Sequence, residues 1–328
     1  MSTDQEKTRK RHAELINELP KADGWVQQHV LLYQGQWLHS FILLGATLMQ
    51  NHFNYRSTDI FLCSFIKAGT TWLKALMFAI MNRSRFPDFS DHPLLRQGPQ
   101  SCFPSLDPYI SQDHAITNMD LLPSPRLISS HFAFNLFPST FQDECKFVYI
   151  CRDPKDVFVS MFHFVKQMRP KHLPALSFDK AFELFCEGVM DYGPYWDHVL
   201  GFWKASLEHP DKVLFLRYEE MKKEPEVHVK RLAEFMGVPI SVEEQKNQVV
   251  EKIITLCGFE HLKNLEVNKS GKYTHINNKP VCGNHVFFRR GEVGDWQNHL
   301  TKEMGDKIDQ ITQDKFKDFG LTLDATLK

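Results

Sequence analysis

Residues 65–72 read Phe-Ile-Lys-Ala-Gly-Thr-Thr-Trp and stand between a strand pattern and a helix pattern. The strand pattern is Asp59-Ile60-Phe61-Leu62-Cys63-Ser64-Phe65, and the helix pattern opens near Thr70 and runs through Leu73, Leu76, Met77 and Ile80. The first N–H groups of a helix lack intrahelical partners, and the helix dipole favours negative charge there, so this strand–turn–helix makes an anion cradle. Gly69 lets the backbone come close to a phosphate, and Lys67 adds a full positive charge. In the G-x-x-x-x-G-K-(S/T) loop the lysine follows the second glycine; here it precedes the only one. The segment therefore points to a phosphate-bearing ligand but not to an ordinary ATPase. Taken alone, it also fits a loop in which Thr70 or Thr71 merely caps a helix.

Three further strand patterns follow. Arg126–Ser130 is short and delivers His131. Lys146–Cys151 is nearly all apolar, as a buried parallel strand should be, and ends at Arg152-Asp153-Pro154. Asp153 suits an N-cap and Pro154 the first helical position, with the helix continuing through Val157, Phe158 and Met161. Val213–Leu216 is the last buried run, followed by Tyr218-Glu219-Glu220-Met221. Helices are expected as a pair over 178–209, over 225–236 with Gly237 as a C-cap, and over about 242–264 and 301–316. Residues 84–125 read as loops with short helices, and 266–295 as a polar, glycine-dotted, mobile stretch. The first 20 residues read as a charged, frayed helix, which divides the chain into a flexible segment over 1–20 and one domain over 21–328.

Strands alternating with helices imply an α/β domain whose central parallel sheet carries helices on both faces. Such sheets bind ligands beyond the carboxyl ends of their strands. Lys67, His131, Arg152 and Tyr218 all follow strand ends and should meet on one rim.

Bulk properties narrow the partners. A chain of 328 residues is long enough for one large α/β domain. A formal charge of −1 offers no basic excess for nucleic acid. Seven cysteines without CxxC spacing fit a reducing compartment, and the polar N-terminus lacks a signal-peptide core. The most apolar stretch, Trp37 to Met49, is interrupted by His39 and too short to span a bilayer. The expectation is a cytoplasmic protein with neither nucleic-acid nor membrane partners.

Two more segments complete the pattern. Arg152-Asp153-Pro154-Lys155-Asp156-Val157-Phe158-Val159-Ser160 places a serine about two turns into the helix, where it could share one anion with Arg152. Arg289-Arg290-Gly291 precedes Gly294-Asp295-Trp296. Together with the first loop, these resemble the cytosolic sulfotransferase family, which uses 3′-phosphoadenosine 5′-phosphosulfate (PAPS). The family's loop is usually Y-P-K-S-G-T-T-W, and residues 65–72 match its last part. Its R-(D/N)-P-K-D-x-x-V-S matches residues 152–160 in full, and its R-K-G-x-x-G-D-W matches 289–296 with Arg290 in place of lysine. Leu256-Cys257-Gly258-Phe259 and Leu265-Glu266-Val267-Asn268 look most like plant members. The resemblance covers roughly residues 20–320, in the same order throughout.

The resemblance implies a P-loop-like phosphosulfate-binding loop and a full set of site residues. Lys67 and the backbone of Ala68, Gly69, Thr70, Thr71 and Trp72 would hold the 5′-phosphosulfate. Arg152, Ser160, Arg289, Arg290 and Gly291 would hold the 3′-phosphate. Trp72 and Phe259 would pack on adenine, with Tyr218 near its edge. A hydroxyl is a poor nucleophile until its proton is removed, and His131 is the natural general base. Among 16 histidines, its place after Pro125-Arg126-Leu127-Ile128 singles it out. Lys67 would also stabilise the leaving phosphate, with positioning supplying most of the catalysis. The chemistry requires no metal.

Three residues depart from the pattern: Ile66 stands for proline, Ala68 for serine, and Gly258 for a serine often beside the stacking phenylalanine. These lead us to expect a slower or more weakly binding enzyme, and they keep open the alternative of a PAPS- or PAP-binding relative without significant turnover (PAP is the desulfated product). The acceptor is expected to be a small, largely apolar hydroxylated metabolite such as a flavonol or steroid. Phe132, Phe134, Phe137 and Phe162 read equally well as its pocket and as core. The K-x-x-x-T-V-x-x-x-E pairing motif of animal members is not found between 263 and 288, which leaves a monomer open.

Overall fold

The computed structural model describes residues 3–110, 115–274 and 280–323. The charged start of the chain is helix α1 (Thr3–Glu18), and a small antiparallel sheet follows, with β1 (Lys21–Asp23), β2 (His29–Tyr33) and β3 (Gln36–Leu38). The apolar stretch before residue 50 mostly forms α2 (Ser40–His52), which is buried continuously from Ile42 to Met49. The strand–loop–helix is β4 (Ile60–Ser64) leading to α3 (Thr70–Asn82). Then come β5 (Leu127–Ser130), β6 (Lys146–Cys151), α4 (Pro154–Met168), α5 (Phe178–Glu187), α6 (Tyr195–Glu208), β7 (Val213–Arg217) and α7 (Pro225–Phe235). A hairpin of β8 (Lys272–Thr274) and β9 (Pro280–Gly283) precedes α8 (Lys302–Phe316).

The four central strands pair in parallel in the order β5-β4-β6-β7. Successive side chains of a strand face opposite sides of the sheet. Phe61, Cys63, Phe147, Tyr149 and Phe215 accordingly join one core with α2, α4, α5 and α6. Ile60, Leu62, Val148, Ile150 and Leu216 join another with α3, α7 and the helix Val249–Leu256. Register aligns the strand ends: Cys63 pairs with Ser130, Ser64 with Ile150, and Cys151 with Arg217. The residues that leave those ends therefore emerge on one rim. At the opposite edge, Arg126 grips Asp59 through two bonds of 2.8 and 2.5 Å, with both side chains fully buried.

Two stretches differ from the sequence expectation. The span 242–264 is broken into Val242–Lys246, Val249–Leu256 and Phe259–Asn264. The breaks fall at Gln248, whose φ of +56° is incompatible with a continuing helix, and at Gly258. The second break sets Phe259 at a helix start, beside Gly291. Residues 284–298, within and just beyond the stretch read as mobile, carry two 3-10 turns (Asn284–Phe287 and Asp295–Asn298), the second pinned by buried carboxylates described below; residues 275–279 lie outside the described part. Among the described residues, no helix is long and apolar enough to cross a membrane.

Candidate active site

The loop after β4 is shaped by two left-handed residues, Lys67 (φ +69°) and Gly69 (φ +117°). A Cβ at Gly69 would lie 2.8 Å from Tyr218 Cδ2 and 3.1 Å from Ile150 Cδ1, so only glycine fits against the β7 side of the rim. Gly69 caps α3 without a side-chain bond, which leaves the first-turn N–H groups uncapped. The threonine hydroxyls are held from either side. Thr70 Oγ1 is 2.7 Å from Ser64 Oγ, and Gln100 Nε2 donates to Thr71 Oγ1 at 3.0 Å.

A cleft of about 570 Å³ opens above this loop. Lys67, Gly69, Thr70, Thr71, Trp72 and His131 line it from β4, α3 and β5. Arg152, Ser160 and Tyr218 line it from β6, α4 and β7, and Phe259, Arg289, Arg290 and Gly291 close it from the C-terminal segments. Ala68 is the one expected residue that does not line the cleft. Its methyl is fully buried in the apolar core and its N–H donates to Phe65 O at 3.2 Å. The left-handed residues on either side turn this position inward, so the missing serine hydroxyl is missing beneath the loop. Of the phenylalanines considered for a pocket, Phe132 and Phe137 are core residues, while Phe134 and Phe162 pack against that core.

The cleft gathers cationic side chains, as a site for negative charge requires. Lys67 Nζ sits 4.4 Å from the centre of the Phe164 ring. Burial lowers its pKa to about 8, and the nearby Arg289 and Arg152 push it the same way. Arg152 donates to Asp156 Oδ2 at 3.0 Å and to the carbonyl of Glu292, with its guanidinium 4.6 Å from the Tyr218 ring centre. Arg289 donates to Asp295 Oδ2 at 2.5 Å. Arg152 and Arg289 each keep a buried Nε–H without a partner among the described residues. Buried polar groups are ordinarily bonded, so two orphaned guanidinium donors on one cleft wall fit a bound anion. Aromatic faces line the same cleft. Trp72 meets Tyr218 edge-on at 5.5 Å, and Tyr218 Oη donates to Gly291 O at 3.0 Å. Gly291 has φ +69°, and a Cβ there would fall 2.4 Å from Phe259 Cδ2. Cationic side chains and aromatic rings gathered in one cleft fit a phosphorylated nucleotide.

His131 leaves β5 into the same cleft. Its Nδ1–H donates to Ser64 O at 2.8 Å, which leaves Nε2 as the nitrogen free to take a proton. Burial, aided by Lys74, His198 and Lys67, lowers the imidazole pKa to about 3, so the ring is neutral at physiological pH. Its backbone is fixed as firmly as its ring. Asp107 Oδ2 accepts the His131 N–H at 2.6 Å, and the His131 carbonyl accepts from Gln36 Nε2 at 3.1 Å and His198 Nε2 at 3.0 Å.

Sequence reading did not find the supporting acids. Asp107 also accepts the Ser130 hydroxyl at 2.5 Å, and burial raises its pKa to about 6. Asp156, fully buried, accepts from Gly294 N at 2.8 Å and Trp296 N at 3.0 Å as well as from Arg152. It thereby ties the C-terminal loop to α4. Asp156 and Asp295 lie inside segments already singled out, so their motifs were the available signal; nothing local marks Asp107.

Comparison with known proteins agrees with this geometry. A family profile described as "Sulfotransferase domain" matches residues 57–320. Cytosolic sulfotransferase 16 of Arabidopsis thaliana is 45% identical over 324 residues, covering 97% of this chain and 94% of that protein. The flavonol 4′-sulfotransferase of Flaveria chlorifolia is 42% identical over 315 residues, covering 95% and 96% respectively. Among solved structures, an Arabidopsis thaliana protein described as a steroid sulphotransferase superposes with a TM-score of 0.74 at 35% identity, covering 99% of both chains. A mouse sulfotransferase in complex with PAP gives 0.67 at 26% identity, covering 88% of this chain and 95% of that one. With the fold, the cleft and near-full-length relatives in agreement, this chain belongs to the plant type of the cytosolic, PAPS-dependent sulfotransferase family and is an enzyme.

Proposed function

We propose that the protein transfers the sulfuryl group of PAPS to a hydroxyl of a small, largely apolar acceptor of the flavonol or steroid kind. PAPS supplies an activated sulfuryl group on a phosphate that leaves as PAP. Lys67 and the uncapped first turn of α3 would hold the 5′ end. Arg152, Ser160, Arg289, Arg290 and Gly291 would hold the 3′-phosphate through the donors left unpaired. Trp72 and Phe259 would take the adenine faces, with Tyr218 at the edge.

His131 Nε2 would accept the proton of the acceptor hydroxyl, while Ser64 O holds the ring in the one tautomer that can do so. The low proton affinity of the isolated ring rises when anionic charge is bound nearby, which brings the base closer to its working range. Lys67, positively charged at neutral pH, would stabilise the charge that grows on the leaving phosphate oxygen. Walls of the cleft would exclude water and align the hydroxyl with the sulfur.

The observation that carries this reading is the tautomer-locked His131 in the same cleft as the phosphate-type loop. Relatives named for flavonol and steroid sulfation support the acceptor class. The test is transfer of labelled sulfate from PAPS to a panel of phenols, flavonols and steroids. Transfer to at least one member is expected; intact PAPS binding with no transfer overturns the catalytic assignment. Should Ala68→Ser then restore transfer to a silent chain, the binding-only alternative is the correct one.

A further inference from the structure

One acid on the cleft wall is not used by the cofactor site or by the base. Asp191 is 3% exposed and lines the cleft near Val26, His39, Ile42 and Tyr192. Its Oδ2 accepts the Val26 N–H at 3.3 Å, whereas Oδ1 is buried with no hydrogen-bond partner among the described residues. His39 lies close enough to respond to it: burial lowers the imidazole pKa, and the Asp191 carboxylate opposes that shift. The His39 ring makes no hydrogen bond among the described residues, although it begins α2 as its N-cap.

The position of Asp191 is built, not incidental. The next residue, Tyr192, meets the His131 ring at 5.3 Å, so this wall adjoins the base. Tyr192 has a left-handed backbone (φ +66°), held by its N–H bond to Trp37 O at 2.7 Å. That turn lets two consecutive side chains face one cleft. A buried carboxylate oxygen without a donor is costly, and the loss is recovered only when a donor arrives. Ile42, Phe164 and Met168 line the same cleft and are apolar, so they offer no donor.

We propose that Asp191 and His39 form a polar subsite for the acceptor, selecting apolar molecules that carry a second hydroxyl apart from the one presented to His131. The proposal rests on the sulfuryl-transfer reading above. A hydroxyl satisfies both groups at once, donating to Asp191 Oδ1 and accepting from His39. An ammonium has no lone pair, so it donates to the carboxylate but cannot accept from the His39 N–H. An acceptor with a single hydroxyl leaves the buried Asp191 Oδ1 unpaired, and sites that bury such groups discriminate against analogues lacking the partner.

The test measures binding to the PAP-loaded full chain by calorimetry, because that readout does not need turnover. The probes are 4-phenylphenol against 4,4′-biphenol, and 2-naphthol against 2,6- and 2,7-dihydroxynaphthalene, with 4′-(aminomethyl)biphenyl-4-ol as the cationic arm. At least one diol should bind about tenfold or more tightly than its mono-ol, as expected for a hydrogen bond to a charged group and well beyond the factor of about two from equivalent hydroxyls. Asp191→Ala should remove that advantage. Asp191→Asn, which keeps an oxygen for Val26 N–H, should reduce it several-fold. Equal binding of every pair, or an advantage untouched in both variants, overturns the subsite; tighter binding of the aminomethyl compound than of the diols overturns the hydroxyl assignment. Selective diol binding without sulfate transfer would sink the catalytic reading and leave the subsite standing. Transfer without diol preference would do the reverse.

Discussion

The Nδ1 of His131 lies 2.8 Å from the carbonyl oxygen of Ser64, the last residue of the strand that feeds the phosphate loop. His131 and the loop are thus referenced to one strand end. A shift of either would move both, and the ring cannot present Nδ1 to the cleft without giving up that bond. Removing the ring should therefore affect proton transfer and leave nucleotide binding in place. His131→Ala is expected to lower kcat about 10²–10⁴-fold, the usual worth of a positioned general base. PAP affinity measured by calorimetry should stay within a few-fold. A comparable loss in PAP affinity would show that His131 acts mainly in shaping the cleft.

Lys67 is predicted to make nucleotide binding depend on pH in a defined direction. In the free protein its pKa is lowered from 10.5 to about 8, chiefly by burial. A bound anion raises that value, so binding above pH 8 takes up a proton. PAP affinity should be nearly flat from pH 6.5 to 7.5 and fall as pH rises through 8, by at most about tenfold per unit. Lys67→Met should bind more weakly and lose the slope. For stability without ligand the sign is opposite: a folded pKa below the unfolded one favours the fold at high pH, and this contribution is lost as pH falls through 8. An unchanged slope in the variant would remove Lys67 from the anion site.

Gly291 carries the tightest backbone approach in the cleft. Alanine there would place a Cβ 2.4 Å from the Phe259 ring at a φ of +69°. Ring and loop cannot both stay. Gly291→Ala is expected to cost about 1–3 kcal/mol of stability from backbone strain and to weaken PAP binding about tenfold or more. Denaturant melts and calorimetry measure the two effects separately.

Asp156 is predicted to act on the cofactor site through Arg152 and the 294–296 backbone, without touching the ligand. Its loss leaves the Arg152 charge with the Glu292 carbonyl and the Tyr218 ring face, and frees two N–H groups. Asp156→Ala should destabilise by about 3–5 kcal/mol, the cost of breaking a buried pair from one side, read by urea unfolding. Asp156→Asn should lose less. Added PAP should raise the unfolding midpoint of the Asn variant less than that of the native chain, because the loop that carries Arg289 is no longer anchored.

Much of the site was legible because its signals are local. Apolar runs marked β4, β5, β6 and β7, and Asp153-Pro154 marked a helix start that the structure places at Pro154 with the Asp153 side chain accepting from Lys155 N. Once parallel pairing was inferred, Lys67, His131, Arg152 and Tyr218 had to share a rim. The first sheet was not legible, since strands of three to five residues barely show alternation. Nor was the orientation of Ala68, which depends on two left-handed neighbours that motif matching does not register.

By itself, the chain's order of residues determined the alternation of strand and helix, the phosphate-type turn, and the set of cations and aromatics that end up in one cleft. Each of these depends on short-range periodicity, capping or backbone freedom, which neighbouring residues decide among themselves. Only the tertiary structure decided where the acids sit: Asp107 beneath His131, Asp156 under the C-terminal loop, and Asp191 on the cleft wall. A carboxylate's role depends on which donors come within hydrogen-bond distance after burial, and those donors lie up to 165 residues away in the chain.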